Sequence, residues 1–283
     1  MTNIITCIGR FHVSAAVCDA GAWASQRLNA HLKLLHVLDK SEYPIKRDLT
    51  GKIGLGSQEH LLDELTVLEE KHSKLAREHG KYMLEAAERR VREDGAKDIS
   101  TLQRHGSLVE TLMELEDETR LLVMGRRSAE HDNAAHPIGS NLENVIRTIH
   151  KPILIVLSKF SPPNCFMIAF DGSPTAQKAL DMVAGSPLLK GLPCHLIMVC
   201  SGTDERKAQL ESAFDKLVSA GFDVTQKTLE GKVEAALGTY QKENQIDLMV
   251  MGAYGHSRIR QFLAGSNTTA MLRTSDIPLL LLR

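Results

Sequence analysis

The chain repeats itself, and that repetition restricts its fold more than any other feature. Leu121-Leu122-Val123-Met124-Gly125 in the first half is answered by Leu248-Met249-Val250-Met251-Gly252 in the second. Downstream, Gly139-Ser140-Asn141 is answered by Gly265-Ser266-Asn267, and from these glycines the two segments run without a gap. Arg147-Thr148 then matches Arg273-Thr274, Pro152 matches Pro278, and an apolar run follows each proline. Matches at a fixed offset over such a span mark a duplicated domain. The 283 residues suit two domains of roughly 150 each. The seam is expected at the breaker-rich Ser161-Pro162-Pro163-Asn164, giving domains at 1–158 and 165–283.

Each half alternates short apolar runs with longer amphipathic stretches. Strands are predicted at Ile4–Ile8, Lys33–Leu38, Ile99–Gln103, Leu121–Gly125 and Ile153–Leu157. In the second half they fall at Phe166–Phe170, His195–Cys200, Asp223–Thr228, Leu248–Gly252 and Leu279–Leu282. Between them lie helical spacings such as Leu61, Leu65, Leu68 and Leu75, or Val233, Leu237 and Tyr240. Near-continuous apolar strands alternating with helices imply an α/β protein. Each half is then a five-stranded parallel sheet, doubly wound, with helices on both faces. Ser41 to Ser57 reads as an excursion before a long, solvated helix over Glu59 to Glu93.

Charge and cysteine usage narrow the function. Lys plus Arg is 34 against 35 for Asp plus Glu, so the basic excess that phosphate-tracking nucleic-acid binders need is missing. Aromatics at 4% disfavour base stacking as well. No apolar run approaches a bilayer span, and Met1 to Ile8 lacks the pattern of a secretory signal. Cys7, Cys18, Cys165, Cys194 and Cys200 show no zinc spacing and read as reduced thiols. The expectation is a cytoplasmic protein with neither membrane nor nucleic-acid partners.

In an open parallel sheet, ligands bind at the carboxyl ends of the strands, near the reversal of strand order. Asp171-Gly172-Ser173 follows the first strand of the second half, and Val199 ends the next. The fourth strand runs into Gly252-Ala253-Tyr254-Gly255, and nine residues later Gly265-Ser266 opens the last helix. Glycines admit close approach of backbone N–H groups to oxyanions, and a helix N-terminus adds donors and a positive dipole end. Ser266, Thr268 and Thr269 supply hydroxyls, while His256, Arg258 and Arg260 bring positive charge. Phosphates would repel Asp171, which therefore belongs at the nucleoside end. A bland alternative stands beside each: Asp-Gly-Ser as a plain turn, and Gly252 and Gly255 as shapers of a strand-to-helix bend.

Gly-x2-Gly-x9-Gly-Ser after the fourth strand, with Asp171-Gly172-Ser173 after the first, resembles the ATP-binding type of universal stress protein. Length and duplication are similar to the tandem members of that family. The resemblance implies strand order 3-2-1-4-5 in each half and adenosine facing Asp171 and Val199. Ribose and phosphates would follow Gly252, Gly255, Gly265, Ser266 and Asn267, with ATP as ligand and magnesium admissible as counter-ion. Single-domain relatives dimerise through the edge formed by the last strand, so the duplication implies that the two halves pair within one chain. Whether the whole chain then forms a homodimer is left open.

The first half departs from the pattern where the chemistry would sit. Gly9-Arg10 replaces the aspartate, and Ser128 replaces the second glycine, with ten residues rather than nine before Gly139-Ser140. Loss of tight ATP binding there is expected. The contrary reading is another anionic ligand near Arg10, Arg126 and Arg127. Phosphoryl transfer needs a positioned base and metal ligands, and no acidic residue accompanies the phosphate loop. A nucleotide-binding stress regulator therefore outranks a slow ATPase or phosphotransferase. A partner-docking scaffold with no required ligand is the third reading.

Overall fold

The computed structural model describes residues 2–9, 13–38, 55–126, 140–201, 203–253 and 267–283. The first half comprises β1 (Asn3–Cys7), α1 (Val13–Leu28), β2 (Leu32–Leu38), α2 (Leu55–Glu93), β3 (Ile99–His105), α3 (Leu108–Glu114), β4 (Thr119–Gly125), α4 (Ser140–Thr148) and β5 (Ile153–Val156). The second comprises β6 (Phe166–Ala169), α5 (Pro174–Gly185), β7 (Cys194–Val199), α6 (Asp204–Ser219), β8 (Val224–Leu229), α7 (Val233–Glu243), β9 (Leu248–Gly252), α8 (Asn267–Thr274) and β10 (Leu279–Leu282). A short 3₁₀ turn, Pro187–Leu189, follows α5. Every strand expected from the apolar runs is present, with ends shifted by at most two residues. The long helix begins earlier than expected, at Leu55, so the end of the expected excursion is helical.

All the strands join one sheet in the order β3-β2-β1-β4-β5-β10-β9-β6-β7-β8. Each half thus has the order 3-2-1-4-5, all parallel, and the halves meet through β5 and β10. Those two strands run antiparallel, with Leu279 opposite Ile155, Leu280 opposite Leu154 and Leu281 opposite Ile153. Leu154 and Leu280 hold the same place in the repeat, two residues beyond Pro152 and Pro278. Equivalent residues facing one another place a pseudo-twofold axis at the seam. The edge strands cap each other's free N–H and C=O groups, which removes the hazard of two open edges. The linker is docked as well. Phe160 packs on Trp23 with ring centroids 5.7 Å apart, and Asn164 N–H donates to Asp247 Oδ2 at 2.8 Å.

Alternation along the strands feeds two cores that each cross the seam. Leu154, Val156, Leu280 and Leu282 share one with α1 and α5; Ile153, Ile155, Leu279 and Leu281 share the other with α4 and α8. Burial of each such side chain contributes roughly 1.5–3 kcal/mol. The long α2 is solvated only in part. Gly80, Leu84, Ala87 and Val91 are buried, and Gly80 lies so near His36 and Gln103 that any side chain there would collide.

Candidate functional site

Within the second half, strand order reverses between β6 and β9, and the chain segments leaving these strands form the candidate crevice. Phe170 N–H still follows the ladder, donating to Ile197 O at 2.9 Å, and Asp171 is the first residue beyond it. Asp171 is exposed, and its Oδ1 accepts from Ser173 N–H at 2.9 Å. This local turn fixes the carboxyl group and leaves Oδ2 without a partner among the described residues. Gly172 has φ +74°, a left-handed conformation that a side chain would strain. Ser173 is the N-cap of α5: its Oγ accepts from Ala176 N–H at 3.2 Å, and Pro174 follows at the first helical position. The plain-turn reading of Asp-Gly-Ser therefore holds in part, since Ser173 starts the helix; its hydroxyl proton remains available to a ligand.

Gly252 closes the crevice from the other strand. A Cβ there would lie 3.1 Å from Ala176 N and from Thr175 C and O. The end of β9 and the first turn of α5 are thus in close backbone proximity, so a side chain at Gly252 would force the α5 backbone to give by a few tenths of an ångström. Val199 ends β7 half-buried and packs partly into the core, in register with Leu229. At α8, Thr268 is half-buried and Thr269 buried in the first turn, next to Asn267. Gly255, His256, Arg258, Arg260, Gly265 and Ser266 lie outside the described residues.

Arg206 escaped the sequence reading. It sits on α6, and its Nη1 donates to the backbone carbonyl of Asp171, with Gln209 beside it against Gly172. A guanidinium is thereby held at the Asp171 end of the crevice. Nothing in the acidic and basic opening of α6, Asp204-Glu205-Arg206-Lys207, separates this arginine from a solvated one.

Gly9 occupies the aspartate's place in space as well as in sequence. Ile8 N–H donates to Leu35 O at 2.8 Å, matching Phe170, and Gly9 comes next. Its carbonyl accepts from Ser14 Oγ at 2.6 Å, and a side chain added at Gly9 would meet open space. Arg126 extends from the end of β4, its N–H bonded to Val156 O at 2.9 Å as Ala253 N–H is to Leu282 O at 2.8 Å. Its guanidinium reaches across the seam to Ser275 O. Arg126 thus binds the other half rather than standing ready in the vacated pocket; Arg10, Arg127 and Ser128 lie outside the described residues.

With this geometry in place, comparison with known proteins is decisive on one point. The family model described as Universal stress protein family matches residues 1–156 and, a second time, 166–283. This chain belongs to the universal stress protein family. Universal stress protein Slr1230 of Synechocystis sp. is 34% identical over 287 aligned residues, covering 100% of both chains. Among solved structures, a universal stress protein from Archaeoglobus fulgidus aligns with a TM-score of 0.73 at 18% identity, over 99% of this chain and 98% of that one. A protein of unknown function from Pseudomonas aeruginosa, PA1789, aligns with a TM-score of 0.62 at 16% identity, over 100% and 92%. At these identities the structures support the tandem universal stress protein fold alone. None of the described helices is long and apolar enough to cross a membrane.

Proposed function

We propose that this chain is a cytoplasmic stress-response regulator whose second domain, 165–283, holds ATP with little or no turnover, while the first, 1–158, does not hold it tightly. The observation that carries the reading is the contrast between equivalent positions: a fixed, outward carboxyl group at Asp171 beside a glycine-lined crevice, against a bare Gly9. Asp171 Oδ2 accepts from a ribose hydroxyl, and Gly172, Ser173 and Val199 border the nucleoside. Gly252, Gly255, Gly265, Ser266, Asn267 and Thr268 present backbone and hydroxyl donors to the phosphates, with His256 and Arg258 adding charge. Magnesium accompanies the phosphates as counter-ion, held by them rather than by a carboxylate of the chain.

Calorimetry on the full chain tests the reading. One ATP site is expected, weakened about tenfold or more in Asp171→Ala and abolished in Gly265→Val. Two equivalent sites, or unchanged affinity in both variants, would defeat it. Turnover is expected well below the roughly 1 s⁻¹ of ordinary enzymes, because no acidic residue stands among the phosphate-loop residues to act as base. Several turnovers per second, lost in Gly265→Val, would transfer the assignment to the ATPase reading.

A further inference from the structure

The duplication creates a cavity that neither half could form alone. It measures about 350 Å³ and lies at the seam, walled by Leu121 of the first half and by Val183, Leu189 and Leu280 of the second. Arg27 secures one wall, its Nε donating to Leu188 O at 2.9 Å and its Nη2 to Lys190 O. The size falls within the range of small-molecule sites, roughly 300–1,000 Å³. The cavity is open to solvent on one side and its walls are mostly apolar, so water inside it has few polar partners and is readily displaced by an apolar group.

Among the described residues, the lining carries one charged side chain, Arg120. Its Nη1 donates to Leu28 O at 3.2 Å, which engages one of the five N–H donors of the guanidinium. Arg120 also lines a second, polar cavity of about 770 Å³, together with Asn29, His31, Lys97 and Asp98. Asp98 is paired there with His31 at 2.8 Å, so its carboxylate already has a partner. The guanidinium therefore borders both a mostly apolar cavity and a polar one.

We infer that the seam cavity binds a free amphipathic carboxylate, its apolar body between Leu121, Val183 and Leu280 and its anionic head on Arg120. Burial of the chain supplies the affinity, and the guanidinium selects acids over neutral molecules of the same shape. The cavity lies at the β5–β10 junction, and none of its lining residues belongs to the candidate crevice of the second half.

Calorimetry of the full-length chain with decanoate, against decan-1-ol as neutral counterpart, tests the inference. Saturable one-to-one binding of decanoate is expected. Arg120→Gln, which keeps a neutral donor for Leu28 O, is expected to weaken decanoate about tenfold or more and to leave decanol within about twofold. Gly185 also lines the cavity, and a Cβ there meets open space. Gly185→Phe is accordingly expected to fold normally by circular dichroism and to lose both ligands. Absence of saturable decanoate binding by the native chain would overturn the inference, as would equal losses of decanoate and decanol in Arg120→Gln. Cosedimentation with phosphatidylglycerol vesicles without binding of monomeric decanoate would overturn it in favour of a lipid surface.

Discussion

Arg283, the residue after β10, donates from Nη1 to the carbonyl of Ile149 at 3.0 Å, joining the second half to the end of α4 in the first. The same nitrogen reaches Ile146 O and Arg147 O at 3.3 Å. In the opposite direction, Arg126 reaches Ser275 O at the end of α8. Ile149 and Ser275 are equivalent in the repeat; the two arginines are not. Each nonetheless supplies a cation to helix carbonyls that lack intrahelical partners. Arg283→Ala is expected to lower stability by about 1–2 kcal/mol, read from urea denaturation. No change in midpoint would show that these contacts are idle.

The β5–β10 pairing, rather than chain continuity, is expected to hold the halves together. Proteolytic cutting near Pro163 is expected to leave two fragments that co-elute on a sizing column, because β5 and β10 remain paired. Leu280→Pro removes an N–H from an interior strand and is expected to separate them. Free separation of the native fragments would contradict the seam described above.

Gly252 has a packing duty apart from any ligand. With a Cβ forced to 3.1 Å from the α5 backbone, Gly252→Ala is expected to cost about 1–3 kcal/mol in the nucleotide-free protein, seen as a lower melting temperature. An unchanged melting temperature would mean that the contact relaxes freely. Substitutions at Gly252 are for this reason poorer probes of nucleotide contact than Asp171→Ala.

His195 ties stability to pH. Burial disfavours its charged form and lowers its pKa, with Asp223 acting weakly in the opposite sense. Its Nδ1 lies 2.8 Å from Tyr240 Oη. The unfolded chain then binds the proton more readily than the folded one, so stability falls as pH drops through the unfolded histidine value of about 6.5. Denaturation midpoints between about pH 5 and about pH 7.5 are expected to rise with pH, and His195→Gln to flatten part of that slope. An identical slope in the variant would acquit His195.

Burial pushes the Cys18 and Cys194 thiols up to about 12. Thiolate is the reacting form. Ellman's reagent at about pH 8, below the usual thiol value of about 8.5, is expected to leave both unmodified until the chain unfolds. Rapid labelling of either in the native protein would show an open path to the core.

The sequence by itself determined the duplication, the identity of the strands, the alternation that makes each half a doubly wound sheet, and the replacement of Asp171 by Gly9. These are local properties: apolar periodicity and a residue's place after a strand are recorded within a few neighbours. Only the tertiary structure decided that β5 and β10 run antiparallel with Leu154 opposite Leu280, and that Gly252 touches the first turn of α5. It alone turned Arg126 to the far half, brought Arg206 to Asp171, and left an apolar chamber around Arg120 at the seam. Each of these relations joins residues distant along the chain. A long cationic side chain reads identically in sequence whether it ends in solvent, on a helix carbonyl or beside a cavity. Its partner is fixed only when two faces meet.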